Sequence, residues 1–511
     1  MLRTRDIRET IAWVDRSGIA PEIEALLRPT RRGRPRQLTV RALLVGLKLS
    51  VDVAKTSCLT DVHVVLTEGL PRNVQIALSV LNPRTGSVVS LPQVRRLLSS
   101  IQAKLDPSVE SAPQLSDAER SLRVQTLQHL LDRLLAASMP ADLTHGGAYA
   151  VDGTGTWSWA RGKRRGEPAA DPDAAWGVKT SKSGKEEAYF GYELHAIVRV
   201  GASGSDGSRT PCLAERIVVL PASTKGTGPV LRSLARMRED GLRVREVISD
   251  RGYSYKLDWT PGLIAQGLDP VHDLHPNQLG PRGTHAGARI VAGVPHCPAM
   301  PEIFNTITRP DRLAGGPEVD TFTARIAERE QFALRRISKA DPTGKERYEC
   351  PARAGKVRCP SHTPSMSLPL ALPKVMSPPP PADALACCSQ RTITVPGSVD
   401  AKARQVHYWG SRGWIAAFSR RSRVEGWFGN LKSENAEALG RGAFRVMGLC
   451  KTSLMLGIYS AATNLRLMRA WAMRCRDTSD LLPLLGCRDA TLGHDPDPDD
   501  RPPGADPPPR P

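Results

Sequence analysis

The chain has 511 residues and a net charge of +19 at neutral pH, from 71 Lys and Arg against 52 Asp and Glu. This length predicts more than one module, and the charge favours a polyanionic partner such as nucleic acid, although many basic chains have no such partner. No run of 18 apolar residues occurs and the start MLRTRDIRETIAWVD is polar, which argues against a membrane span and a signal peptide and predicts a cytoplasmic protein.

Residues 1–145 are predicted to form a helical N-terminal module for DNA binding or multimerisation. Apolar residues recur at helical spacing in Val40–Leu49 and in Leu122–Leu135. Ser116 and Glu119 have the spacing of a capping box and mark the start of the second helix.

A short basic arm, formed by Arg32, Arg34 and Arg36, precedes the first of these helices. An arm of this kind can lie in the minor groove of DNA, so Arg32 and Arg34 are predicted DNA contacts. A solvated linker of the same composition explains the pattern equally well.

Residues 146–275 have the clearest order of elements, which is β-β-β-α-β-α-β. Three early strands followed by helix-linked strands predict an α/β fold with a mixed five-stranded sheet and flanking helices. The predicted strands are Ala148–Asp152, Ala188–Val200, Cys212–Leu220, Val244–Asp250 and Leu268–Leu274, and the predicted helices are Gly226–Glu239 and Pro261–Gln266.

The remaining chain divides into three parts. Residues 276–410 lose a clear period and are rich in Pro, Gly and Cys, so we interpret them as an insertion. Helical spacing resumes over 411–476, with a break near Gly440–Gly442. Residues 477–511 are predicted to be a tail that is disordered from Asp495, because eight prolines and five aspartates in 17 residues cannot build a core.

Two aspartates, Asp152 and Asp250, fall at the ends of the first and fourth predicted strands. Each precedes a turn signal, Asp-Gly-Thr-Gly or Asp-Arg-Gly-Tyr, where ligand sites commonly form. A single Asp-Gly after a strand is usually only a turn. The two strands are expected to be neighbours, however, so the pair predicts two carboxylates that converge at one sheet edge.

A third carboxylate, Glu425, lies in the segment FSRRSRVEGWFGNLK. Phe418, Arg421, Glu425 and Lys432 project within about 60° of one another at about 100° per residue, so they share one face of a helix. Spacing alone is explained equally well by an ion pair between Arg421 and Glu425 on a solvated helix, worth about 0.3–0.5 kcal/mol.

This spacing resembles the signature Tyr-x2-Arg-x3-Glu-x6-Lys of a large group of bacterial insertion-sequence DDE transposases, with Phe418 in the Tyr position. VDGTGTW and VISDRGYSYK resemble the segments around the first and second Asp of that family, and FGYELH resembles its second strand. The resemblance covers residues 150–475. It implies a ribonuclease H-like catalytic domain with an insertion before the Glu helix, and a metal-binding catalytic triad of Asp152, Asp250 and Glu425.

The implied reaction is cleavage and strand transfer of DNA, with Mg²⁺ or Mn²⁺ as the cofactor. Two divalent ions can activate the attacking oxygen and stabilise the leaving oxygen of a phosphodiester, and hard ions prefer carboxylate ligands. Arg421 and Lys432 are predicted to contact DNA phosphates, which positions the DNA without reading its sequence.

Other side chains are weaker candidates. Asp171 and Asp173 could compete for the triad, but their basic loop at 161–185 favours a surface role. Trp157 and Trp427 could stack on an unpaired base or be ordinary core residues.

The cysteines of the insertion are a weak signal for zinc. Tetrahedral zinc sites use Cys and His, but the usual two-to-four-residue spacing within a ligand pair is missing. Buried or inert thiols are therefore the favoured interpretation. The residues concerned are His296, Cys297, Cys350, Cys359, His362, Cys387 and Cys388.

The leading hypothesis is an active transposase whose partners are double-stranded DNA, both terminal inverted repeats and target, acting as a homodimer or larger synaptic complex. One alternative is a DNA-binding protein that has lost catalysis. Another is a metal-dependent nuclease of the same fold that lacks strand transfer. Inverted repeats flanking the coding region would separate the transposase from the nuclease.

Overall fold

The computed structural model describes residues 2–28, 36–141, 146–163, 167, 169–180, 186–201, 210–310, 316–377 and 385–487. Arg32, Arg34 and the stretch from Asp495 lie outside these residues. The described chain is a mixed α/β structure with a mixed sheet and flanking helices, as the sequence predicts. None of its described helices has the length and apolarity needed to cross a bilayer.

The N-terminal part is helical, as predicted. The capping box of Ser116 and Glu119 is present, because each side chain accepts a hydrogen bond from the other residue's backbone amide. Helix α3 is buried along most of its length and is therefore a core element. The helices are α1 (Thr4–Ser17), α2 (Ile19–Leu27), α3 (Val40–Ala54), α4 (Leu59–Val64), α5 (Arg72–Ala77), α6 (Leu91–Leu105) and α7 (Asp117–Ala136).

The central sheet has six strands among the described residues, one more than predicted. The strand order is β2-β3-β1-β5-β6, with β4 also paired to β3, and the β1–β5 and β5–β6 pairs are parallel. The strands are β1 (Ala148–Trp157), β2 (Ala175–Thr180), β3 (Glu186–Val200), β4 (Ala214–Pro221), β5 (Glu246–Ser249) and β6 (Asp269–His272).

The additional strand is β2, which lies in the segment predicted to be a loop. It pairs antiparallel with β3 from Ala175 opposite Gly191 to Thr180 opposite Glu186. Trp176 and Val178 alternate with small or polar residues and are largely exposed. A strand that buries so little apolar surface has a weak sequence signal, because periodicity is detected through burial.

Strand β1 continues five residues beyond the predicted end, so Asp152 lies within the strand and the predicted turn after it is wrong. Gly153 and Gly155 are strand residues over which large side chains pack. A Cβ on Gly155 would lie 2.6 Å from the Tyr189 ring, and a Cβ on Gly153 would lie 2.9 Å from His195 Nδ1. These glycines allow close approach between neighbours instead of forming a turn.

Helices cover both faces of the sheet. One face, which includes Tyr149 and Val151, packs against α8 (Thr227–Glu239) and α10 (Trp259–Ala265). The opposite face, which includes Ala148 and Ala150, belongs to a larger core that it shares with the N-terminal helices. The alternation along β1 therefore produces three layers.

The segment 276–410 has structure of its own. Two small three-stranded sheets and two α-helices are present among its described residues. The first sheet contains β7 (Pro281–His285), β8 (Ala288–Val291) and β9 (Val294–His296), the second contains β10 (Arg335–Arg336), β11 (Glu346–Glu349) and β12 (Ile393–Val395), and the helices are α11 (Gly316–Gln331) and α12 (Ala386–Ser389).

The C-terminal helices carry the third carboxylate and close the core. Helices α13 (Arg412–Phe418) and α14 (Ser422–Lys432) are separated by a 3-10 turn, and the long α15 (Leu449–Cys475) packs against α7, α3 and β4. The non-helical segment between α14 and α15, residues 433–448, is longer than the break that was predicted near Gly440–Gly442.

Asn464 on α15 joins three parts of the fold. Its amide donates to Ser138 Oγ at 3.0 Å and to Ala214 O at 2.9 Å, and its carbonyl accepts from Ala214 N at 2.9 Å and Trp427 Nε1 at 3.1 Å. The side chain is fully buried, so all its hydrogen-bonding capacity is used inside the protein.

We predict that Asn464→Leu lowers the free energy of unfolding by at least about 2 kcal/mol, because each buried polar group left unpaired costs about 1–3 kcal/mol. The measurement is urea unfolding followed by circular dichroism. Gln125→Leu is the matched control, since Gln125 is exposed and its side-chain amide donates to Ser121 Oγ on the same helix. Equal stability of the two variants would contradict the assigned role of Asn464.

Candidate active site

The two aspartates meet because β1 and β5 are adjacent and parallel. Val151 lies opposite Ser249 in this pairing, so the next residues, Asp152 and Asp250, lie side by side. This confirms the predicted convergence. Asp250 does end its strand, where its side chain accepts a hydrogen bond from Tyr253 N at 3.2 Å and caps the short helix α9 (Arg251–Ser254).

The two carboxylates repel each other in a partly desolvated environment. Burial, followed by the charge of Asp250, raises the pKa of Asp152 to about 7. Burial also raises the pKa of Asp250, while Arg421 opposes that shift. Two neighbouring carboxylates with raised pKa values are typical of a site that binds a cation or a proton.

Helix α14 and the 3-10 turn before it, Ser419–Arg421, bring Glu425 and two cations to the same strand. Arg421 Nη1 donates to Asp152 Oδ2 at 3.3 Å, and Nη2 donates to Glu425 Oε1. Lys432 donates to Thr154 Oγ1 and to Gly155 O on β1. The side chains of Arg421, Glu425 and Lys432 therefore do converge near β1, but the single helix predicted for Phe418 to Lys432 is wrong, because a 3-10 turn separates α13 from α14. The interpretation as a solvated ion pair is too weak because Arg421 is buried.

A cavity of about 520 Å³ opens beside Asp250 and contains residues that the sequence analysis missed. Arg251 and Arg309 line it together with Asp273, Phe418 and Arg421. Arg251 could have been recognised from the sequence, because it follows Asp250 in the Asp-Arg-Gly-Tyr segment. Arg309 and Asp273 had none, since they come from the insertion and from the residues after β6.

Asp273 holds the two arginines of this cavity. It is 4% exposed and accepts hydrogen bonds from Arg251 Nε at 2.8 Å, Arg309 Nη1 at 3.2 Å and Trp409 Nε1 at 3.0 Å. The Arg309 guanidinium also lies over the ring of Phe418, 5.7 Å from its centroid. The cavity thus has cationic walls fixed by a buried anion.

A neutral pair of aromatic rings lies behind the carboxylates. Tyr253 Oη and His195 Nδ1 are 2.6 Å apart, and burial lowers the pKa of His195 to about 4. His195 is therefore neutral near pH 7. Burial, together with the charges of Asp152 and Asp250, raises the pKa of Tyr253 well above its usual value.

The competing acidic residues have a structural role instead of the predicted surface role. Asp171 is fully buried and Asp173 nearly so. Asp171 Oδ1 accepts from Gly448 N at 3.1 Å, and Asp173 Oδ2 accepts from Leu449 N at 2.8 Å. Both carboxylates therefore cap the N-terminus of α15, where the helix dipole favours negative charge.

The two tryptophans considered for base stacking lie in different environments. Trp427 is fully buried and donates to Asn464, so it is a core residue. Trp157 is partly exposed at the end of β1, and Lys179 and Arg441 lie over its ring at 5.7 and 5.9 Å from the centroid.

Asp152, Asp250 and Glu425 are the side chains that could hold a divalent cation. Their oxygens suit hard ions, and the charge of Glu425 raises the pKa of each aspartate. Among the residues that the structure describes, no three such side chains are gathered in a ready metal-binding arrangement, and Arg421 contacts two of the carboxylates. A cation and Arg421 would compete for the same oxygens.

In comparisons with known proteins, no protein-family model and no curated protein matched this chain.

We predict that Asp273→Asn loosens the cavity wall and lowers the free energy of unfolding by about 1.5–3 kcal/mol, the range for hydrogen bonds to charged groups. Asp240→Asn is the control, because Asp240 is largely exposed and its ion pair with Arg216 is expected to contribute about 0–1 kcal/mol. Thermal unfolding of both variants measures the difference. A larger loss in the control would show that Asp273 does not anchor the arginines.

Proposed function

We propose that the protein is a DNA transposase of the DDE type, with a ribonuclease H-like catalytic domain and a triad of Asp152, Asp250 and Glu425. The observation that carries this proposal is the convergence of two carboxylates from adjacent strands, Asp152 and Asp250, with a third from α14, the helix that also presents Lys432 and is preceded by Arg421. Ordinary ion pairs on a protein surface form without such a convergence of three carboxylates and two cations.

The proposed cofactor is Mg²⁺ or Mn²⁺, which when bound between these carboxylates would polarise the scissile phosphate and activate the attacking oxygen. Asp152 and Asp250 are held in place by the sheet backbone and by the cap of α9. Glu425 is more exposed than Asp152 and lies in the first turn of α14, directly after the 3-10 turn that ends at Arg421.

In this proposal Arg421 binds carboxylates before DNA enters the site and a DNA phosphate afterwards. Without DNA its guanidinium neutralises Asp152 and Glu425. When cation and DNA enter, a phosphate is the alternative partner, since guanidinium binds phosphate and carboxylate through the same donors. The cationic cavity beside Asp250, lined by Arg251 and Arg309, is where the DNA backbone would lie.

A basic aromatic surface at the end of β1 supports contact with DNA. Trp159 is 40% exposed, and Arg445 lies over its ring at 4.8 Å from the centroid. Together with Trp157 and its two cations, it combines charge for phosphates with rings for unpaired bases. Lys432 extends this surface towards the carboxylates.

The proposed partners are terminal inverted repeats and target DNA, bound in the bacterial nucleoid by a homodimer or a larger synaptic complex. Cutting two element ends in one reaction requires that both ends be held together, which a symmetric assembly achieves.

We predict that Asp152→Asn, Asp250→Asn and Glu425→Gln each reduce Mg²⁺-dependent DNA cleavage by more than about 100-fold, beyond the 10–100-fold typical of outer-shell partners of a metal. Folding and DNA binding should persist, because each change is nearly isosteric and binding depends on Lys and Arg. Cleavage of DNA that carries the flanking ends, and gel shifts on the same DNA, measure the two effects. Glu434→Gln is the control, since Glu434 is exposed just beyond α14.

The wild-type protein distinguishes the competing functions in the same assay. Cleavage without joining to target DNA would favour a metal-dependent nuclease. Binding without cleavage in either Mg²⁺ or Mn²⁺ would favour a DNA-binding protein that has lost catalysis. Full activity in any one triad variant would remove that residue from the proposed site.

We predict that DNA affinity falls steeply with salt, with a logarithmic slope of about 0.9 per phosphate contact, and that Lys432→Ala reduces this slope by about one contact. Fluorescence anisotropy at several salt concentrations measures the slope. Lys345→Ala is the control, since Lys345 is exposed in a turn of the insertion. An unchanged slope for Lys432→Ala would show that Lys432 does not bind a phosphate and only contacts Thr154 within the protein.

A further inference from the structure

Four cysteines from distant parts of the insertion line one small cavity. Cys297 follows β9, Cys350 follows β11, Cys359 lies nine residues further along, and Cys388 belongs to α12. The shared cavity has a volume of about 10 Å³, which is close to the space that one water molecule needs. It is therefore large enough for a single small ligand such as a metal ion.

The four thiols are largely withdrawn from solvent. Cys297 and Cys359 are buried, and Cys350 and Cys388 are partly buried. A thiolate in such a place requires a cation nearby.

The local backbone is alike at two of these positions. Cys297 and Cys350 each begin a Cys-Pro-Ala sequence, and the backbone amides of Ala299 and Ala352 donate hydrogen bonds to the respective sulfurs. Amide donors directed at sulfur stabilise negative charge. The repeated tripeptide therefore gives two thiols the same charge-stabilising environment.

A histidine with an unpartnered ring nitrogen also lines the cavity. His362 lines it, and His362 Nδ1 is buried with no hydrogen-bond partner among the residues that the structure describes. Cys388 lines the cavity, whereas its neighbour Cys387 belongs to the small apolar cluster of Tyr348 and Ile393, against which Cys388 also packs.

We propose that the insertion binds one structural zinc ion through Cys297, Cys350, Cys359 and Cys388. Four thiolates are a common ligand set for structural zinc, which is tetrahedral and closed to solvent. The thiols are not arranged in finished ligand geometry, so binding involves rotation of their side chains. His362 would lie beside the ligands without being one of them.

The proposed ion would connect the two small sheets of the insertion. Cys297 directly follows the last strand of the first sheet, and Cys350 directly follows β11 of the second. The two sheets already share an apolar cluster that contains Ala288, Tyr348 and Ile393, and His285 Nε2 lies 3.0 Å from Thr394 O. A tetrathiolate site would add metal bonds to this packing, and their binding energy would become folding energy. This proposal does not depend on the carboxylate site or on DNA cleavage.

The test is the metal content of the full-length chain, purified without added zinc and measured by mass spectrometry. We expect about one zinc per chain, and its release when a mercurial reagent blocks the thiols. Single Ser variants of the four cysteines should lose the zinc. Cys212→Ser and Cys475→Ser are the controls, since both thiols lie outside the insertion, and His362→Ala should retain zinc.

Cobalt substitution keeps the test decisive if a variant fails to fold. Wild-type protein reconstituted with Co²⁺ should show thiolate-to-cobalt charge transfer in the near ultraviolet and the strong visible bands of a tetrahedral site. Wild type without stoichiometric zinc, or with iron in its place, would overturn the proposal. Loss of zinc in a control cysteine variant that remains folded, or in His362→Ala, would overturn the assigned ligands.

Discussion

The cost of placing Asp152 and Asp250 side by side is the constraint on which the candidate site depends. Parallel pairing of β1 with β5 fixes their separation, and the resulting repulsion in a partly buried place must be offset by positive charge. Arg421 supplies that charge in this structure. In the proposed function, a divalent cation would take over this role from Arg421.

Delivery of Arg421 and Glu425 to the sheet depends on the packing of α14 and α15. Trp427 on α14 donates to Asn464 on α15, and α15 is itself fixed at its start by the buried Asp171 and Asp173. The N-terminal helices complete the same hydrophobic core. A change far from the carboxylates can thus move α14, since packed helices shift as units.

The positive charge next to the carboxylates is held in place by specific side-chain contacts. It does not result only from the large number of Lys and Arg residues in the chain. Arg251 and Arg309 are both held by Asp273, so the cavity next to Asp250 has a defined cationic wall. The net charge of the chain would attract a polyanion to any surface. Only anchored arginines can orient a phosphate relative to the carboxylates.

The sequence by itself determined the mixed α/β class, most strands, the capping box of α7 and the pairing of Asp152 with Asp250, because periodicity and strand order are local and topological properties. It did not reveal β2, whose apolar residues stay exposed, or the strand role of Gly153. The Asp273 anchor and the four-cysteine cavity were decided only by tertiary structure. Their residues are brought together from separate segments, and spacing rules describe only contacts within one helix, turn or strand.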